Sequence, residues 1–389
     1  MNWLVLANDF GVPWHGTKGA SIHLRSMAEA LATGVDSVEV AVRRLGRPTA
    51  GNPGHGRVIL TGLATTEPPT NPAFDPDRMN AELLAWILER HRHSPFDAIY
   101  ERYALWTVAG LDAARKLGIP HLLEVNAPLV DEASRWRNLE LTVTARAAEH
   151  RLAMDGDHLL AVSSPIARHL LRLGANPDRI HVEGNGVADA FLRVERRHEA
   201  GTSPFVVGFA GSLKPWHGLS TLVSAFDRLG GAASGWRLRI VGEGPMAEWL
   251  RAAAETREGV VLTGPMPHES IPGELARMDA GAALYEEVGE GYFSPLKVAE
   301  YQAAGLPVVA SGGAGVREMI THGNDGLLVQ EGDVAGAATA FERIRFESNL
   351  SATLAAAGRC RAAARTWSAI AARCRTLASG QSPCAEIGR

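Results

Sequence analysis

Cysteine is scarce in this chain: Cys360, Cys374 and Cys384 are the only three among 389 residues. Their odd number and their spacing fit no disulfide framework, zinc site or redox pair, which leaves ordinary reduced thiols. Long apolar runs are missing as well; none approaches the roughly 20 residues that span a bilayer. No charged leader precedes the first strand-like run, Trp3-Leu-Val-Leu-Ala7, and that run is too short for a signal peptide's apolar region. These absences predict a soluble, cytoplasmic protein. Charge of one sign is also lacking: the formal net charge is −4, with 21% charged residues. No Lys/Arg stripe carries interleaved aromatics, so nucleic acid is not an expected partner. The Arg193–His198 run includes Glu195 and fits a solvated linker.

Several chemical signatures are missing too. Asp75-Pro-Asp77 and Asp155-Gly-Asp157 look like a metal-binding Asp-x-Asp. The first sits in a Pro-rich loop, Pro68–Pro76, and the second in a helix-to-strand turn before His158–Val162. Neither follows a strand, and without further ligands the chain is expected to work without a metal. There is no Gly-x-Ser-x-Gly elbow. Val241-Gly-Glu-Gly-Pro-Met246 lacks the third glycine of a nicotinamide site, and no cofactor is expected.

What is present is a 46% hydrophobic composition, enough for two substantial cores. Short β-rich runs alternate with helical patterns, the signature of parallel α/β architecture. The first series is Trp3–Ala7, Val38–Val42, Val58–Thr61, Ala98–Tyr100, His121–Val125 and His158–Val162, with helices such as Ser21–Ala32, Met79–His91 and Leu139–Met154. The second is Phe205–Ala210, Arg237–Val241, Val260–Thr263, Ala280–Tyr285, Val308–Ala310 and Gly326–Val329. Two series predict two doubly wound, Rossmann-like domains, 1–190 and 191–364, joined near residues 189–204. The Ala-rich tail, Leu350–Leu377, predicts one or two helices, and a C-terminal helix at about 365–389 is expected to pack back on the first domain. Ligands of such sheets bind outside the carboxyl ends of the strands, so a cleft between two such domains is the natural active site.

The most informative stretch is Glu290-Gly-Tyr-Phe-Ser-Pro-Leu-Lys-Val-Ala-Glu-Tyr-Gln-Ala-Ala-Gly-Leu-Pro-Val-Val-Ala-Ser311. Gly289 and Gly291 allow a tight loop after a strand, and Pro295 suits a first helical turn. Gly305 and Pro307 end the helix near Ala304. Such a loop aims free N–H groups and a positive dipole end at an anion, here a diphosphate. Glu300, one turn on, sits on the face of Leu296 and Lys297, where a carboxylate can accept from two ribose hydroxyls.

With Gly208-Phe-Ala-Gly-Ser-Leu-Lys-Pro-Trp-His-Gly218, Ile240-Val-Gly-Glu-Gly-Pro245, Leu262-Thr-Gly-Pro-Met-Pro-His-Glu269, Gly313-Ala-Gly-Val-Arg-Glu318 and Asn185-Gly-Val187, this stretch resembles the family 4 glycosyltransferases. These are retaining enzymes of the GT-B fold, two facing Rossmann-like domains; the resemblance runs from Trp3 to about Gly332. It implies that Glu300 holds the donor ribose, that Ser294, Pro295, Leu296 and Lys297 bind the diphosphate, and that the Thr263–Met266 segment, with Gly264 and Met266, borders the base. Gly211, Ser212, Lys214, Gly16 and Gly19 complete the implied donor site. The family often carries two glutamates separated by seven residues; the first falls on Tyr292, which leaves Glu290 or the backbone to contact the donor sugar. The phosphate-clasping Arg and Lys fall on Ser212 and His217, which leaves Lys214 and Lys297 as the cations.

The first-strand loop Gly11-Val-Pro-Trp-His-Gly-Thr-Lys-Gly-Ala20 is matched in the family by a phosphate- and acceptor-bordering loop, although an ordinary βα turn reads the same way. Lys18, Glu101, Arg102, Glu124 and Asn126 are the acceptor candidates, and each of the last four reads equally as a cap or ion pair. Asn126 stands where relatives often carry histidine. Arg135–Arg151 intersperses arginines with Glu140 and Glu149, which is no membrane-surface helix. The expected reaction moves a hexosyl group from a nucleoside diphosphate, UDP first and GDP second, to an acceptor, leaning to a soluble small molecule. A cell-surface polysaccharide or glycolipid is the alternative acceptor. A nucleotide-sugar epimerase or hydrolase and a non-catalytic nucleotide-binding partner are the alternatives of other classes.

Overall fold

The computed structural model describes residues 1–34, 37–47, 57–63, 69–71, 73–137, 139–195, 204–286 and 291–380. The chain forms two compact units: Met1–Gly184 together with the residues from Trp367 onward, and Asn185–Thr366. Each is a parallel sheet flanked by helices.

In the first unit the strands are β1 (Asn2–Ala7), β2 (Ser37–Val42), β3 (Val58–Gly62), β4 (Ala98–Arg102), β5 (His121–Val125), β6 (His158–Ala161) and β7 (Ile180–Val182), in the order β3-β2-β1-β4-β5-β6-β7. All six pairings are parallel. β1 is apolar from Trp3 to Ala7 because helices cover both faces, and Trp3, Leu4, Val5 and Leu6 are fully buried. β7, three residues long and at the sheet edge, was not foreseen from sequence. Helix Thr142–Asp155 starts three residues later than expected, after Leu141 turns into the left-handed region at φ +50°, and a separate helix, Leu129–Trp136, precedes it. Helix Trp367–Ala378 packs on helix Gly19–Ala32, with the His23 and Trp367 rings edge to face at 4.6 Å.

The second unit repeats the pattern with β8 (Phe205–Ala210), β9 (Trp236–Val241), β10 (Val260–Gly264), β11 (Ala280–Leu284), β12 (Val308–Ser311) and β13 (Leu327–Leu328), ordered β10-β9-β8-β11-β12-β13. Its core is built by Phe205, Phe209, Trp236, Leu238 and Phe341 on one face and Val298, Tyr301 and Leu306 on the other. In both sheets the strand order reverses beside the first strand. The reversal between β8 and β11 leaves a crevice outside their carboxyl ends, where ligands of such sheets bind. Among the described residues no helix is long and apolar enough to cross a membrane.

Candidate active site

Beyond β8 the chain enters Gly211 at φ +147°, a conformation side-chain-bearing residues rarely adopt. A Cβ there would lie 3.2 Å from Lys297 Nζ, so the missing side chain lets that amine approach the loop. The loop continues through Ser212, exposed, to a 3-10 turn at Pro215–His217. His217 Nδ1–H donates to Ser212 O at 2.5 Å, and its ring lies between Phe209 (5.9 Å) and Tyr285 (5.3 Å). Burial, together with the charges of Lys297 and Lys214, pushes the His217 pKa down to about 3. Its neutral ring is part of the wall of the crevice.

Helix Leu296–Ala303 starts at the other side of the switch point. Pro295, expected inside its first turn, is its N-cap and offers no capping side chain. The leading N–H groups of the helix have no acceptors within it. Lys297 is 8% exposed; its Nζ stands 4.0 Å from the centre of the Phe209 ring and 5.1 Å from that of Tyr285. That buried nitrogen has no hydrogen-bond partner among the described residues. Burial pushes its pKa down to about 7, against the opposing charge of Glu300. An unpaired buried cation is costly, and an arriving anion would relieve the cost.

Glu300 is also buried, and its Oε1 lies 2.7 Å from His268 Nε2. His268 in turn rests on the Phe191 ring at 5.3 Å. The loop before the helix is held by the Asn185-Gly-Val187 motif: Asn185 N–H donates to Ser294 Oγ at 3.0 Å and the Asn185 amide to Ser294 O. Ser294 Oγ is thereby tied into the framework. Tyr292 is half-buried against Phe293. Gly264 ends β10 at φ +77°, and half-buried Met266 packs on the core below, leading to His268. Lys214 is drawn to the exposed Trp216 ring, 5.5 Å from its centre, instead of joining Lys297 as a clasp. Glu290 lies outside the described residues.

The first unit treats its candidates differently. Gly16 O accepts from Arg25 at 2.7 Å, while Lys18 and Gly19 are exposed at the start of helix Gly19–Ala32. Glu101 was expected to face an acceptor and does not. It is 1% exposed, paired with His121 Nε2 at 2.8 Å, and packed so closely beneath Gly110 that a Cβ there would collide with its carboxylate. Arg102 and Glu124 are likewise committed internally: Glu124 Oε1 contacts His23 and Oε2 accepts from Arg102 at 3.2 Å. Burial alone would raise the Glu124 pKa; His23, Arg102 and Asn126 outweigh it and hold it at about 2. Both carboxylate oxygens of Glu124 are thus engaged within the unit. Asn126 remains half-buried, its side chain adding to the hydrogen bonding that holds Glu124 low.

His268 and His217 were absent from the sequence-derived site. Both lie in the motifs Gly208–Gly218 and Leu262–Glu269, but 32 residues separate His268 from Glu300 and nothing local announces their pairing.

Comparison with known proteins places the chain among the glycosyltransferases. Residues 18–186 match the model of the glycosyl transferase 4-like domain, and residues 204–345 that of glycosyl transferases group 1. The chain is 28% identical over 371 residues to D-inositol 3-phosphate glycosyltransferase of Pseudarthrobacter chlorophenolicus, covering 91% of this chain and 88% of that one. It is 34% identical over 244 residues to a GDP-mannose-dependent alpha-mannosyltransferase of Mycobacterium tuberculosis, 59% of each chain. Among solved structures, sucrose-phosphate synthase of Thermosynechococcus elongatus superimposes with a TM-score of 0.73 at 19% identity, covering 98% of both chains. Anabaena HepE in complex with UDP-glucose gives 0.68 at 19% identity, over 97% of this chain and 100% of that one.

Proposed function

We propose, for a chain that belongs to the family 4-like glycosyltransferases with the GT-B fold, that the second unit binds a nucleoside-diphosphate hexose and the enzyme transfers the sugar with retention of configuration. The observation that carries the reading is Lys297: a buried amine without a hydrogen-bond partner among the described residues, at the start of a helix, against the Gly211 loop and one turn from Glu300. The diphosphate would take the helix N–H groups and Lys297, and the ribose hydroxyls would take Glu300. As the sugar–phosphate bond breaks, charge grows on the diphosphate, and fixed donors that need no reorganisation stabilise it. Among the described residues no side chain near Lys297 is an obvious nucleophile, and attack from the leaving-group face, assisted by that phosphate, is the mechanism proposed.

UDP is the first choice of base and GDP the second; relatives and neighbours carry both in their names. The acceptor is read as a soluble small molecule, with the enzyme working in the cytoplasm where nucleotide sugars are made. Metal independence is part of the proposal: Asp75 accepts from Asp77 N–H and Arg78 N–H as a helix cap, and Asp157 accepts from His121 N–H. A polysaccharide or glycolipid acceptor is the second reading, favoured by a 31% identical relative over 192 residues, a phosphatidylinositol monomannoside mannosyltransferase of Mycobacterium tuberculosis.

The test is donor turnover by the purified chain and its Glu300→Ala variant. Loss of the ribose clamp should cost about 2–4 kcal/mol in kcat/KM for the nucleotide sugar. Unchanged donor kinetics would remove Glu300 from the site. Activity should persist in excess EDTA; loss with EDTA and rescue by magnesium would contradict the metal-free proposal.

A further inference from the structure

We infer that His268 is a positioning residue for the donor: it holds one oxygen of Glu300 and leaves the other aimed at the vicinal hydroxyls of the sugar-nucleotide ribose. The inference rests on the donor-site reading above and adds a residue to it.

A glutamate on a helix can swing through several rotamers, and a clamp that must be ordered on binding loses affinity to that ordering. Glu300 is already ordered. His268 Nε2 lies 2.7 Å from Glu300 Oε1. A carboxylate only accepts, so Nε2 carries the proton. Glu300 Oε2 has no hydrogen-bond partner among the described residues. The imidazole is fixed independently, resting on the buried Phe191 ring at 5.3 Å, so helix Leu296–Ala303 does not have to hold the carboxylate alone.

The pair is not a core element. The His268 side chain is 23% exposed and that of Glu300 11%, so both border the crevice rather than the interior. Held in this way, the free oxygen has a fixed direction. His268 also follows Gly264 and Met266, the segment that would border the base, so one short loop would serve both base and ribose.

The experiment measures kcat and KM for UDP-glucose or GDP-mannose, whichever the wild-type chain turns over, in wild type, His268→Ala, His268→Gln, His268→Asn and Glu300→Ala, with thermal stability of each. Glutamine can place its amide nitrogen near the imidazole Nε2 position; asparagine is too short. His268→Ala should raise the donor KM about tenfold, the scale of one lost charge-assisted hydrogen bond, with kcat within about threefold. His268→Gln should restore most of the loss and His268→Asn should not. Adding His268→Ala to Glu300→Ala should change KM no further. An unchanged KM in His268→Ala, or an equal further loss on the Glu300→Ala background, would overturn the inference. If the alanine variant does not fold, the Gln and Asn pair decides: equal impairment of both overturns it. A wild-type chain without donor turnover, or a silent Glu300→Ala, is a different result and sinks the donor-site reading itself.

Discussion

At pH 8, Lys297 should take up a proton when a nucleoside diphosphate binds. With its pKa pushed down to about 7 by burial, about nine in ten free molecules carry a neutral amine at pH 8. A diphosphate placed against Nζ favours the ammonium and moves the pKa back toward 10.5. The uptake should therefore be about 0.9 proton at pH 8, about 0.5 at pH 7 and about 0.1 at pH 6. Calorimetric titration with UDP in buffers of different ionisation enthalpy measures this number as the slope of heat against that enthalpy. At pH 8 the terminal phosphate of UDP is already ionised and contributes nothing. The other groups facing Lys297 are accounted for: Glu300 is its opposing charge, His217 sits near 3, and Tyr285 and Tyr301 are pushed up and stay neutral. Lys297→Met should abolish the slope and weaken UDP by about 2 kcal/mol at pH 7, roughly thirtyfold. His217→Gln should leave the slope in place. The same linkage acts on folding: between about pH 7 and 10.5 the unfolded chain binds more protons here, so stability should rise with pH in the wild type and rise less in Lys297→Met. Intact UDP binding with buffer-independent heat at pH 8 refutes the reasoning.

Two further predictions concern the first unit. His121→Ala leaves the Glu101 carboxylate buried without its partner; urea denaturation should show a loss of about 3–5 kcal/mol, while donor KM, measured on the folded fraction, stays at the wild-type value. Glu124, lowered from 4.5 to about 2, should contribute about 3 kcal/mol that is fully present above pH 4.5 and lost as pH falls toward 2. Stability measured from pH 6 downward should therefore fall less steeply in Glu124→Gln than in the wild type.

Much of the architecture was legible because its cause is local. Strands buried on both faces read as unbroken apolar runs, and β1 and β12 are unmistakable for that reason. The helix Leu296–Ala303 was bracketed by Pro295 and Gly305, whose backbone preferences act at those positions. β7 escaped because three edge residues bury too little to impose a pattern. Glu101 was misplaced although the signal was available: side chains alternate along a strand, so Glu101 cannot share a face with Arg102. The pairing of Glu300 with His268 had no such signal, since it depends on how β10 and a later helix meet. Lys297 stood out in sequence as a cation beside a presumed phosphate, but its burial against Phe209 and Tyr285, and hence its lowered pKa, exists only once β8 and β11 lie side by side.

Because helix Trp367–Ala378 belongs with the first unit, that unit is discontinuous in the chain, whereas Asn185–Thr366 is a single continuous piece. During synthesis the later half can finish folding while the earlier half still waits for its last helix to leave the ribosome. Until then His23 lacks the Trp367 ring and Glu183 lacks Arg373, its partner at 2.6 Å. A stop codon at position 367 would thus injure not the end of the protein but its beginning.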